Sequence, residues 1–90
     1  VLRVTRYSEN SARILLKVEG RVAEDWVGVL KMAIDAELRS PALVELDFTD
    51  VDYIDAAGVR MLHDTFGDNL PIAHCPEWVR TQLDQKPARD

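Results

Sequence analysis

Ninety residues with a net charge of −5 and a sequence pI near 4.9 leave room for one domain. A chain this short buries only about 60–65% of the surface its unfolded form exposes, which argues against a large enclosed substrate cavity. Arg and Lys are scattered among Asp and Glu, so no positive face exists to displace the counterions of a nucleic acid, and the single Cys75 excludes an internal disulfide or a thiolate metal cluster.

Val1 to Tyr7 alternates, with Leu2, Val4 and Arg6 on one side and Arg3, Thr5 and Tyr7 on the other. Ser8-Glu9-Asn10-Ser11 is a polar turn. Ala12 to Glu19 alternates again, with Ala12, Ile14, Leu16 and Val18 on one face, and the two runs predict a hairpin. Gly20 breaks the pattern. From Ala23 to Arg39 the period changes. Trp26, Val29, Leu30, Ala33, Ile34 and Leu38 recur at helical spacing and predict a long amphipathic helix with that side in the core. Ser40-Pro41 ends it, because Pro cannot continue a helix.

Ala42 to Phe48 predicts a strand with Ala42, Val44, Leu46 and Phe48 on one face. Thr49 to Asp55 reads as an acidic loop. Ala56 to Phe66 predicts a helix with Val59, Leu62 and Phe66 inward and Gly67 closing it. Leu70 to Cys75 predicts a short edge strand whose start is limited by Pro71. Pro76 opens a last helix with Val79 and Leu83 inward. The order is β-β-α-β-α-β-α. This predicts an α/β domain over 1–84, a mixed sheet of about four strands with helices packed against it, and a frayed tail over 85–90.

The stretch from Leu43 to Leu62, LVELDFTDVDYIDAAGVRML, carries the most information. An apolar strand ends in Asp47. An apolar pair, Tyr53-Ile54, precedes Asp55-Ala56-Ala57-Gly58, which opens a helix. With the hairpin, Gly20 and the long helix upstream, this resembles the STAS domain, the fold of the bacterial anti-sigma factor antagonists. The resemblance covers nearly the whole chain. It implies a partner switch. The unmodified domain docks on an anti-sigma factor that is also a kinase, and phosphorylation of the serine after the Asp breaks the complex. Here that position is Ala56 and its neighbour is Ala57, so neither accepts phosphate. Family antagonists often carry an Asp shortly after the strand-two Gly; here the region reads Gly20-Arg21-Val22-Ala23. The resemblance therefore implies a docking surface that is retained and phosphorylation chemistry that is lost. A phosphate at this tip would add about two negative charges beside Asp50, Asp52 and Asp55, and without a hydroxyl that release switch stays in one charge state.

The candidate contact surface is Thr49, Asp50, Asp52, Asp55, Ala56, Ala57, Gly58, Arg60, Met61 and Asp64, with Arg60, Met61 and Asp64 placed away from the Val59-Leu62-Phe66 face. Each has a plainer reading. Asp55 is an N-cap accepting from the N–H groups of Ala57 and Gly58. Gly58, which costs about 1 kcal/mol of helix propensity relative to Ala, marks close approach of a partner or tight packing of helix on strand. Asp47, Asp50, Asp52 and Asp55 do not match the EF-hand spacing and read as solvated acids. Neighbours on a strand point to opposite faces, so His74 and Cys75 make no catalytic pair. His63 reads as solvent-facing, and Trp26 and Trp78 as core or half-buried anchors.

The expected role is thus a regulatory protein–protein interaction module whose partner is an anti-sigma factor or kinase-like regulator. No cofactor, metal, catalytic residue or membrane insertion is expected; the single cysteine makes a reducing, cytoplasmic setting the simplest reading, and the resemblance implies a bacterial source. Three alternatives stand beside it. One is a STAS subunit partnering an ABC-type ATPase, as in bacterial phospholipid transport, or a relic of an anion-transporter tail. Another is a small-ligand (nucleotide) binder or enzyme, for which no Gly-rich phosphate loop or catalytic order is present. The third is a homodimer paired through an exposed edge strand.

Overall fold

The computed structural model describes residues 2–10, 12–67 and 69–84. The expected tail at 85–90 lies outside the described residues. The elements run β1 (Leu2–Asn10), β2 (Arg13–Val22), α1 (Asp25–Leu38), β3 (Leu43–Ile54), α2 (Ala56–Phe66), β4 (Ile72–His74) and α3 (Glu77–Asp84). The sheet has four strands in the order β1-β2-β3-β4. β1 and β2 form the expected antiparallel hairpin, with Thr5 opposite Lys17. β3 lies parallel to β2 and β4 parallel to β3. Parallel neighbours need a crossover; α1 and α2 supply them. The α/β class and the element order are as the sequence predicts.

One face of the sheet carries the core. Ile14, Leu16, Val18 and Val22 of β2, with Val44, Leu46, Phe48, Val51 and Ile54 of β3, are buried there under Leu30, Ile34, Val59, Leu62, Val79 and Leu83 of the helices. Full burial of one such aliphatic or aromatic side chain is worth about 1.5–3 kcal/mol. The opposite face is open. Arg13, Leu15, Lys17, Glu19, Glu45 and Asp47 lie on it, none of them buried. It is laced by Lys17–Asp50 at 3.1 Å and Arg13–Glu45 at 3.6 Å, solvated pairs worth little singly.

Several boundaries differ from the sequence reading. Gly20 does not end β2; it takes φ 100° at an irregularity, and the strand runs on to Val22. The predicted loop at Thr49–Asp55 is strand to Ile54, because β3 absorbs two extra residues against β2. The pairs Lys17–Asp47 and Glu19–Asp50 bracket one, and Gly20–Val51 and Arg21–Tyr53 bracket the other. Each such bulge turns the strand and resets which side chains point inward. The buried positions therefore step from Phe48 to Val51 to Ile54 instead of alternating.

α1 starts at Asp25, with Glu24 before it as N-cap. Its buried line is Leu30 and Ile34, while Trp26 (37%), Val29 (45%) and Leu38 (43%) remain exposed, against expectation. The apolar arc of α1 is wider than the stripe a sheet can cover, so its margins stay in water. Trp78 is 43% exposed as well. α2 ends as predicted, with the Gly67 N–H donating to the His63 carbonyl at 2.7 Å.

Candidate docking surface

The tip of α2 is assembled from three chain segments by one carboxylate. Asp55 has extended backbone, as an N-cap requires, and its Oδ1 accepts from the Gly58 N–H at 2.7 Å. The second bond is not to Ala57, as the capping reading expected. Oδ2 accepts instead from the Glu24 N–H at 3.1 Å, at the start of α1. The Asp55 N–H donates to the Val22 carbonyl at 3.1 Å. One side chain thus caps α2 and fixes the entry to α1, a use that leaves its oxygens engaged within the chain. From the other side, the Gln82 side-chain amide of α3 donates to the Ile54 carbonyl at 3.2 Å.

Gly58 is buried, and a Cβ there would lie 2.9 Å from Val22 Cγ1, 3.0 Å from Ile54 Cγ1 and 3.0 Å from the Val22 carbonyl oxygen. Of its two sequence readings, tight packing of helix on strand is the one the geometry supplies. Gly58 is therefore withdrawn from the contact surface. Met61 is withdrawn too. It is 7% exposed within the core, because α2 packs on both the sheet and α1 and buries a wider arc than the Val59-Leu62-Phe66 line.

The remaining candidates are at the surface. Ala56, Ala57, Arg60 and Asp64 are exposed on one side of α2, as their helical spacing requires. Thr49, Asp50 and Asp52 are exposed on the bulged end of β3. The acids there do not act alike. Asp50 holds Lys17 at 3.1 Å, a bond that, with its charge, raises the Lys17 pKa. Burial pushes the Asp47 carboxyl up. Hydrogen bonds from the Thr49 hydroxyl (2.6 Å) and amide (2.9 Å), with the charges of His74 and Lys17, outweigh it and hold the group below its ordinary value. Among the described residues no three His, Cys, Asp or Glu side chains converge to hold a metal ion.

Two members of this surface were not singled out in the sequence. Tyr53 is 43% exposed, and the Arg21 guanidinium sits 4.6 Å from its ring centroid, a cation–π contact. The second bulge turns Tyr53 outward, so reading it as half of an apolar pair concealed it. The pair stands near the ends of β2 and β3, the strands that lead to Asp55, and aromatic and Arg side chains are the types enriched at interface hot spots.

The other candidates fall elsewhere. His63 does not face solvent freely: its Nε2–H donates to the Leu83 carbonyl at 2.7 Å, tying α2 to α3, and its Nδ1 is buried without a partner. His74 is exposed while Cys75 packs partly into the core, so the two do point apart. They border an open depression of about 600 Å³ with Thr49, Glu77 and Arg80. No helix among the described residues is long and apolar enough to cross a membrane.

A family model described as "Mlab, STAS domain" matches residues 5–82. Among solved structures, the anti-sigma factor antagonist SpoIIAA in its unphosphorylated form superposes with a TM-score of 0.57. The match covers 89% of this chain and 94% of that one at 9% identity, a likeness of fold. No curated protein matches the chain. With a family model spanning residues 5–82 on an architecture shared with SpoIIAA, the chain belongs to the STAS domain family.

Proposed function

We propose that this domain is a protein-docking module of the anti-sigma factor antagonist kind, held in the unphosphorylated charge state. The observation that carries the reading is the exposed Ala56-Ala57 pair at a tip whose one carboxylate, Asp55, is occupied by two backbone N–H groups. The tip is small and apolar, with Arg60 about one turn along α2 and the Arg21–Tyr53 pair near the strand ends that precede it. It suits a partner that lays a surface across the start of α2, and it offers nothing that a kinase could modify at position 56 or 57. The partner is an anti-sigma factor or a kinase-like regulator.

The test is calorimetric titration of the domain against a kinase-type anti-sigma regulator from the same cell. Ala57→Glu and Arg60→Glu each weaken binding by about tenfold or more, the loss expected where a central contact is reversed in charge or overfilled. Ala56→Ser restores an acceptor, so incubation with the kinase and ATP then releases the complex. Binding indifferent to both Glu variants would sink the reading. A second reading, a subunit docked on the ATPase of a transport system, uses the same tip. The absence of a hydroxyl at 56 and 57 favours it to the extent that a permanent subunit needs no release. Co-purification with an ATPase rather than with a kinase-type regulator separates the two.

A further inference from the structure

The sheet has two edges, and they are guarded differently. β4 is three residues long and follows Pro71, a short edge that pairs poorly with another chain. β1 is nine residues, LRVTRYSEN, with no Pro; its charged residues are Arg3, Arg6 and Glu9, and its one irregularity lies at the far end between Ser8 and Asn10. Among the described residues no strand covers its outer side. A long flat edge of this kind presents a row of free backbone donors and acceptors.

One side of α1 faces that edge. Glu37 of α1 receives the Arg6 guanidinium of β1 at 3.0 Å, which identifies the side of α1 that overhangs β1. α2 packs on α1 as well, tied at its start by the bond from Asp55 to Glu24. Helical spacing places Trp26, Ala33 and Val29 in sequence around the helix from Glu37 on the side that faces β1, and then Ala36, Asp25 and Met32 on the outer side opposite the buried Leu30 and Ile34. Of those facing β1, Val29 is 45% and Trp26 37% exposed. The exposed stripe and the free edge therefore form one continuous surface.

We propose that this surface pairs with a second copy of the chain, β1 against β1 in antiparallel register about a two-fold axis at Thr5. The sequence of β1 is complementary to itself in that register. Thr5 meets Thr5 of the other copy and Arg3 meets Tyr7 on the open face, a cross-strand cation–π pair repeated twice by the symmetry. On the core face Val4 meets the aliphatic stem of Arg6. The axis stands perpendicular to the sheet, so both helical layers lie on the same side and the two α1 helices run antiparallel. With strands roughly 4.8 Å apart and α1 over β2, flanked by β1 and β3, the α1 axes lie roughly 14 Å apart. Trp26, Ala33 and Val29 then face the gap between them. The two α2 tips stay free at opposite ends, so this pairing is independent of the docking reading.

Sedimentation velocity between roughly 1 and 200 μM is expected to show a monomer–dimer equilibrium. Thr5→Glu stands opposite Lys17 within its own chain but repels its copy across the axis, and Val29→Lys charges the flank. Each is expected to weaken dimerisation by about tenfold or more. In a Cys75→Ala background, Thr5→Cys cross-links on mild oxidation, because directly opposed residues sit about 4.5–5.5 Å apart at Cα. Tyr7→Cys does not, since its copies lie roughly 13 Å from each other. A monomer throughout the range overturns the proposal. So does a dimer untouched by both charge variants, or one that cross-links through Tyr7→Cys as readily as through Thr5→Cys.

Discussion

Replacing Gly58 with Ala sets two known magnitudes against each other. In an unconstrained helix the change adds about 1 kcal/mol of stability through propensity. Here the new methyl would stand 2.9 Å from Val22 Cγ1 and 3.0 Å from both Ile54 Cγ1 and the Val22 carbonyl oxygen. The side-chain atoms can rotate away at modest cost. The carbonyl cannot, because it accepts the Asp55 N–H at 3.1 Å, and moving it disturbs the carboxylate that caps α2 and anchors α1. α2 must therefore lift off the sheet by a few tenths of an ångström, and overpacking of this kind costs about 2–3 kcal/mol when the backbone has to shift. The net expectation is a loss of about 1–2 kcal/mol. For a domain of this size that lowers the midpoint of thermal unfolding by roughly 5–15 °C. Thermal and urea unfolding followed by circular dichroism measure it. An unchanged or raised midpoint would refute the close-packing account of Gly58 and return the residue to the contact surface.

Two further expectations concern stability. Glu24 holds φ 55° and ψ −128° and is followed by a bond from the Trp26 N–H to the Ala23 carbonyl at 3.0 Å. It thus occupies the first central position of a turn that favours glycine. Glu24→Gly relieves that strain against the entropy of a freer unfolded chain, for a gain of about 1 kcal/mol and a midpoint several degrees higher; a fall would contradict the strain. The Asp47 carboxyl is held below its ordinary value by Thr49 after burial is overcome. Its stabilisation is present above the unfolded-state pKa of about 4 and is lost as pH falls through the lower folded value. Thr49→Val removes the hydroxyl bond and should flatten the loss of urea resistance between about pH 5 and pH 2. An acid limb identical to that of the parent would refute the assignment.

The alternating segments were legible because each buries one face only. Ile14, Leu16, Val18, Val44, Leu46 and Phe48 declare their side by period two, and Leu30, Ile34, Val59 and Leu62 by helical spacing. The end of β3 was not legible, since two bulges convert the period of two into steps of three, and Phe48, Val51 and Ile54 then resemble neither strand nor loop. Exposure on α1 and α2 was misjudged for a related reason. Spacing gives the direction of a side chain but not how much of the helix its neighbours cover, so Met61 was placed outside and Trp26 and Val29 inside. His63 was placed in solvent because its acceptor, the Leu83 carbonyl, comes from a helix 20 residues later in the chain.

The geometry also explains what the Asp55-x-x-Gly58 spacing can and cannot say. Asp55 is fixed by the need to cap α2 and receive the Glu24 N–H at once, and Gly58 by the approach of Val22 and Ile54. Both belong to the joint between two helix starts and two strand ends. They would be required whatever the domain binds. The positions between them, Ala56 and Ala57, carry no such burden: they are exposed, and a hydroxyl or a charge would fit there. The outer pair therefore reports the fold, and the inner pair is free to report the regulation. On the docking reading proposed above, two alanines at the inner pair leave no hydroxyl there, and control would act on the partner or on the concentration of the domain.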